Sequence, residues 1–294
     1  MELPNFTEDP RLTGTITNGT PEIITAPDSD LLSGFAMHNQ THSSASSINM
    51  YAAAPHAWVA SYLFSRKSPF GAAGKAGVLV EEGVVNTIAR GWAAEKALEY
   101  IQTEYEKFGI LQPHITPDDL KRAETDRKRG EALSGMFYGA LEALKPYGEP
   151  SFDPGVKQKK IEITCKGEGW ELPVIGFLDF KFEKTREVID LKTSMKISEE
   201  MSDPHMRQGC IYKRALDSEG YKISFLYVSG KKSLIIPCCH EVGSEAPVMA
   251  DIKNILVRQE RFLKLGDRKK LAGIVPIIDS SYYNDAAINK ELFS

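Results

Sequence analysis

No stretch of the 294 residues approaches 18 consecutive apolar positions, which excludes a membrane-spanning helix on sequence grounds. The opening segment, MELPNFTEDPRLTG, has neither the basic nor the apolar region of a secretion signal, and a soluble cytoplasmic protein is expected. Cysteine is scarce. Cys165, Cys210, Cys238 and Cys239 form neither a CxxC pair nor an evenly spaced framework, so a disulfide scaffold is excluded and reduced thiols are expected. Positive charge is not in excess either: 36 Lys and Arg against 40 Asp and Glu give a net charge of −4. A general coat for duplex DNA would be basic, so any nucleic-acid contact has to come from a local patch. No internal repeat is present. Hydrophobic content of 42%, 23 Gly and 16 Pro exclude collagen-like and coiled-coil classes, and the length fits one large domain with appendages.

Residues 1–45 carry a single Lys or Arg, Arg11, and no apolar period, and are expected to form a poorly ordered arm. A single domain with a C-terminal helical extension is expected over residues 46–294. Its first half is helical. Serines at 43–47 offer N-caps for a helix through Phe64, PFGAAGKAG at 69–77 reads as a loop, and 78–109 reads as one long helix ending at Gly109. A further helix is expected from a Thr116 cap to Pro146.

The period then changes. KQKKIEITC, ELPVIGFLDFKF and EVIDLKTS predict three antiparallel strands. A helix over 203–220, a hairpin around Ser229 and Gly230, and an amphipathic helix over 245–266 follow. The fold class expected is α/β, with a central mixed sheet flanked by helices.

The EKTR turn centres between Lys184 and Thr185, which places Asp179 directly across from Asp190 if the hairpin is symmetric. Alternation along the strand puts Val188, Asp190 and Lys192 on one face and Ile189 and Leu191 on the other. Asp179, Asp190 and Lys192 then share one patch. Facing carboxylates repel and need compensation, which a Mg²⁺ or Mn²⁺ ion provides through hard oxygen ligands. Neutralisation by Lys192 alone on a solvated face is the plainer alternative.

On the long helix, Val78, Glu81, Val85, Ile88 and Trp92 form the expected core stripe, so Glu81 is an acid on an apolar seam. A phase error of one residue would instead turn it to solvent. Gln208 and Tyr212, at i and i+4, share one helix face, as a positioning pair or as ordinary surface. The basic runs at 121–129 and at Lys157, Lys159 and Lys160 read equally as phosphate contacts or as solvated faces.

Taken in order, Glu81, the GFLD segment ending at Asp179, the DLK segment 190–192 and the QGCIY segment 208–212 resemble the PD-(D/E)xK nuclease superfamily. The likeness is to its RecB-type branch, which includes lambda-type exonucleases. The segment SASSINMYAAAPHAWVASYLF, with Pro55 and Trp58, and AGVLVEEG, ending its motif at Glu81, are similar to that branch as well. The likeness spans about residues 46–230.

It implies a restriction-endonuclease-like core and metal-dependent hydrolysis of DNA to products with a 5′-phosphate and a 3′-hydroxyl. Glu81, Asp179, Asp190 and the Leu191 carbonyl would hold one or two Mg²⁺ or Mn²⁺ ions, Lys192 would act on the attacking water or transition state, and Gln208 and Tyr212 would contact or position substrate.

A DNA exonuclease of recombination, repair or phage replication is the leading expectation, with a single-strand annealing protein as its partner. A structure-specific endonuclease and a non-catalytic DNA-binding scaffold are the alternatives. Many members of that branch have His at the Glu81 place, and some carry an iron–sulfur cluster. With no cysteine before Cys165 and adjacent thiols in PCCHE, no cluster is expected, and Cys238, Cys239 and His240 read as strand-end residues.

Overall fold

The computed structural model describes residues 33–68, 71–110, 117–151, 159–163, 172–241, 243–278 and 285–293. Its strands form two short mixed arrays. In the first, β1 (Ser43–Ser44) runs parallel to β3 (Val174–Leu178), which pairs antiparallel with β2 (Lys159–Ile163). In the second the order is β4 (Phe180–Phe182), β5 (Glu187–Thr193), β6 (Lys222–Val228) and β7 (Ser233–Cys238). The β4–β5 and β6–β7 pairs are antiparallel hairpins, whereas β5 and β6 are parallel. A parallel pair needs a crossover, and α7 (Asp203–Ala215) supplies it.

The second array separates two hydrophobic cores, as period-2 alternation requires. Val188, Ile223, Phe225 and Tyr227 point to one face, where they meet α7, α8 (Ala246–Leu263) and α2 (Ala45–Ala53). Ile189, Leu191, Leu226 and Val228 point to the other, against α4 (Ala72–Ile88), α5 (Ala94–Ile110) and α6 (Pro117–Leu144). A mixed α/β architecture is therefore observed.

Several boundaries differ from expectation, each for a local reason. The single strand expected over 171–182 breaks at Asp179, whose carboxylate accepts the Leu191 amide at 2.9 Å instead of continuing the ladder. The single helix expected over 78–109 is two helices, because the chain turns at Gly91 with φ of 66°. The segment taken as a loop at 69–77 already enters α4 at Ala72. The helix expected through Phe64 divides at Ala54 and Pro55 into α2 and α3 (Pro55–Trp58), continued by a π-turn at Val59–Leu63.

Part of the expected arm is also ordered. Over 33–45, α1 (Gly34–Met37) is capped by the Ser33 hydroxyl, and the Glu260 carboxylate of α8 accepts the Gly34 and Phe35 amides at 2.6 and 3.1 Å. Phe35 is buried there. The rest of that stretch, 1–32, lies outside the described residues, as does Thr116. Two short helices, α9 (Arg268–Ile274) and α10 (Ala286–Phe293), follow α8.

One close approach depends on glycine. A Cβ at Gly135 of α6 would overlap the backbone of Gly230 in the β6–β7 turn, whereas a Cβ at Gly139, one turn on, finds its nearest neighbour at 3.8 Å in Ser233. Gly135→Ala is expected to destabilise the fold by about 1–3 kcal/mol through overpacking. Gly139→Ala should instead stabilise it by up to about 1 kcal/mol, the helix-propensity difference. Urea denaturation of the two variants checks the contrast; equal midpoints would show that α6 does not pack as described.

Candidate active site

The β4–β5 ladder pairs Phe180 with Ile189, Lys181 with Val188 and Phe182 with Glu187. The paired residues end at Phe180 and Ile189, and Asp179, the next residue, leaves the ladder and reaches the Leu191 amide beside Asp190, close to the place expected from the centre of the turn. Both carboxylates are buried, Asp190 at 1% exposure. Lys192 Nζ lies 2.5 Å from Asp190 Oδ2. The ammonium and the carboxylate form a close, buried ion pair. Leu191 is buried in the opposite core. The N–H and C=O of one strand residue point to the same edge, so the Leu191 carbonyl shares the edge on which its amide meets Asp179.

Helix α7 supplies the other partners. Gln208 Nε2 donates to Asp190 Oδ1 at 2.8 Å and to Tyr212 Oη at 2.7 Å, and Tyr212 Oη donates to the Phe177 carbonyl at 2.8 Å. The chain of bonds runs from β3 through α7 to β5. It fixes which Asp190 oxygen is engaged and leaves Oδ2 to the ammonium.

Glu81 reaches the site differently from the expected way. The buried seam of α4 is Ala76, Leu79, Val80, Gly83, Val84, Val85 and Asn86, so of the expected stripe Val85 is buried, Val78 and Glu81 lie on the flank, and Ile88 and Trp92 pack against the same core only partly buried; Trp92 lies beyond the helix end. Glu81 sits half-buried on the flank of that seam. From there its charge raises the pKa of Asp179, Lys192 and Tyr212.

The electrostatics follow from crowding two buried acids and the half-buried Glu81 around one base. Burial, then Asp190 and Glu81, push the Asp179 carboxyl well above the ordinary range. Burial also raises Asp190, against the pull of Lys192. Burial alone would lower Lys192, but Asp190, Asp179 and Glu81 outweigh it and the ammonium is held charged.

A group whose folded pKa is raised stabilises most below its unfolded pKa and loses that contribution as pH rises through the folded one. Metal-free protein should therefore lose stability as pH climbs from about 4 through the raised Asp179 value. Asp179→Asn, which keeps an acceptor for the Leu191 amide, should flatten that decline. Urea midpoints across pH in the presence of a chelator measure it, and parallel curves for the two proteins would contradict the assignment.

The sequence pattern did not single out His205, which the structure adds. His205, Gln208 and Tyr212 fall at i, i+3 and i+7 on one face of α7, a stripe that could have revealed it. Its Nδ1 lies 2.8 Å from Tyr227 Oη and its ring stacks on Phe225 at 5.6 Å. Burial first, and then the nearby Lys192 charge, lower its pKa to about 4. It is a neutral imidazole beside the charged lysine.

The expected basic patch has partners of its own. Arg127 bonds Glu124 at 2.9 Å and also meets Glu131, Lys128 meets Glu124 at 3.3 Å and Arg129 meets Asp126 at 3.0 Å. These i,i+3 and i,i+4 pairs tie the basic residues to acids of the same helix, the Arg127 and Lys128 pairs exposed and the Arg129–Asp126 pair half-buried. Lys157 lies outside the described residues; Lys159 and Lys160 are in β2.

No protein-family model matches the chain, and no curated protein matches it. Among solved structures it is similar to a candidate exonuclease from Eubacterium rectale, at 13% identity over 87% of this chain and 97% of that one, with a TM-score of 0.46. It is also similar to a protein designated SSO0001, at 16% identity over 63% of this chain and 75% of that one, with a TM-score of 0.31. Likenesses this distant establish no family. None of the described helices is long and apolar enough to cross a membrane.

Proposed function

We propose that this protein is a divalent-metal-dependent deoxyribonuclease with a PD-(D/E)xK-type site on a restriction-endonuclease-like core, acting as an exonuclease on DNA ends. The observation that carries the reading is the convergence of two buried, mutually repelling carboxylates on one lysine, with Glu81 within electrostatic reach. Lys192 offsets part of that repulsion, and a bound cation would offset the rest. The donor set fits Mg²⁺ or Mn²⁺: the oxygens are hard, both carboxylates are buried, and the Leu191 carbonyl lies on the Asp179 edge.

Glu81, Asp179, Asp190 and the Leu191 carbonyl would hold the ion. When bound, it supplies Lewis-acid stabilisation of phosphate charge and a more acidic water. The protein's own groups do the rest. Lys192, kept protonated by three carboxylates, faces the developing negative charge of the phosphodiester and orients the water that attacks it. Gln208 holds Asp190 by one oxygen, and Tyr212 anchors Gln208 to β3, so the carboxylate does not rotate away during turnover.

Linear DNA labelled at either end, single- or double-stranded, should be shortened when Mg²⁺ or Mn²⁺ is added and remain intact with chelator. Covalently closed circles should resist. Cutting of circles at the linear rate would replace the exonuclease reading with an endonuclease one. Absence of any metal-dependent cleavage would remove the nuclease reading altogether.

A further inference from the structure

The structure brings together a second set of potential ligands that the carboxylate site does not use. The thiols of Cys210 on α7 and of Cys238 and Cys239 at the end of β7 all lie within 4.8 Å of one another. Cys238 Sγ is 3.7 Å from Cys239 Sγ, and Met206 Sδ is 3.6 and 3.7 Å from those two sulfurs. A tetrahedral ion with metal–sulfur bonds of about 2.3 Å has ligand–ligand edges of about 3.8 Å. Three of the edges are thus already close to that length.

Two backbone features bring the sulfurs to one point. Successive strand residues send their side chains to opposite faces, so adjacent cysteines in an extended chain would diverge. Cys239 instead takes a left-handed conformation, φ 51°, which a non-glycine residue adopts at a cost. Lys213 Nζ donates to the Cys239 carbonyl at 2.5 Å and to Glu245 at 3.1 Å, which holds that turn. On α7, a Cβ at Gly209 would overlap Cys238 Sγ, so the helix approaches the strand end this closely only because residue 209 is glycine. His240 is engaged elsewhere, with Nε2 3.1 Å from the Ile223 carbonyl.

We infer that Cys210, Cys238 and Cys239, with Met206 as the fourth corner, form a binding site for one thiophilic d¹⁰ cation of the Zn²⁺ or Cu⁺ class. An all-sulfur donor set selects such ions over the hard cations suited to the carboxylates. The ion would tie α7 to the end of β7. It is a structural clamp, separate from the proposed nuclease site.

The test uses the full chain, reduced, stripped of metal and kept anaerobic. Added Co²⁺, standing in for Zn²⁺, should give a near-ultraviolet thiolate-to-cobalt absorption that saturates at one equivalent and is displaced by Zn²⁺. In a parallel arm, the protein should retain one equivalent of Cu⁺ against bicinchoninate. Either result supports the site. Cys238→Ser should abolish the signal, and Met206→Leu should weaken binding about tenfold or more, the loss of a single soft ligand. Asp190→Asn should leave the absorption unchanged, which keeps this outcome distinct from any failure of the carboxylate site. If the wild-type protein shows neither the absorption nor Cu⁺ retention, the three thiols are core packing and the inference is overturned, whatever the variants do.

Discussion

Asp190→Asn is expected to lower metal-dependent DNA hydrolysis by at least about 10³-fold while leaving the fold intact. Losing an anionic ligand removes several kcal/mol of transition-state stabilisation, and each 1.4 kcal/mol is a factor of ten. The fold survives because asparagine keeps an oxygen for Gln208 Nε2, the donor now at 2.8 Å from Asp190 Oδ1. Circular dichroism of the variant should match the wild type. Mn²⁺ should raise the melting temperature of the wild type and not of the variant, since a ligand stabilises only a state that binds it. A variant that retained a tenth of the wild-type rate would take Asp190 out of the reaction.

Lys192→Met should cost both activity and stability, and the stability loss should depend on pH. Asp190 is 1% exposed and has the ammonium 2.5 Å from Oδ2. Methionine fills much of the same volume but leaves the acid uncompensated, which for a buried pair costs about 3–5 kcal/mol. With 26% of the Lys192 side chain exposed, the lower end of that range applies.

The sign follows from linkage. Without Lys192, burial raises the Asp190 pKa further. Below the ordinary carboxylate pKa, where the acid is protonated folded or unfolded, the variant therefore carries no penalty, and above it the penalty grows as the unfolded chain ionises and the folded one cannot. The difference from wild type should be large at pH 8 and shrink as pH falls toward 4. Urea midpoints at the two pH values decide; a constant difference would mean that Lys192 stabilises by packing alone.

Local patterns carry much of this site. Alternation over 188–192 assigned Asp190 and Lys192 to one face and Leu191 to the other, because the side-chain period of a strand is a property of its own backbone. The symmetric turn set the register that pairs Phe180 with Ile189 and so brings Asp179 next to the Asp190 stretch of β5, since a hairpin's pairing is fixed by its loop. Spacing of i and i+4 put Gln208 and Tyr212 on one face of α7.

Other features depended on what each element meets in the folded chain. The rotation of α4 is one: its segment AAGKAGVLVEEGVVNTI is apolar on more than one side, so its sequence admits several seams. Contacts with α5 and α6 select the seam through Leu79, Val80 and Gly83, and Glu81 becomes a flanking acid. The order of α1 was not legible because it comes from Glu260, more than 220 residues away in the chain. The gathering of Cys210 with Cys238 and Cys239 has the same origin. Sequence alone determined the strand faces, the hairpin register and the residue types that repel or bind. Only the tertiary structure decided which of them meet, because those meetings depend on helix phase, on a glycine-permitted approach and on backbone turns set by distant partners.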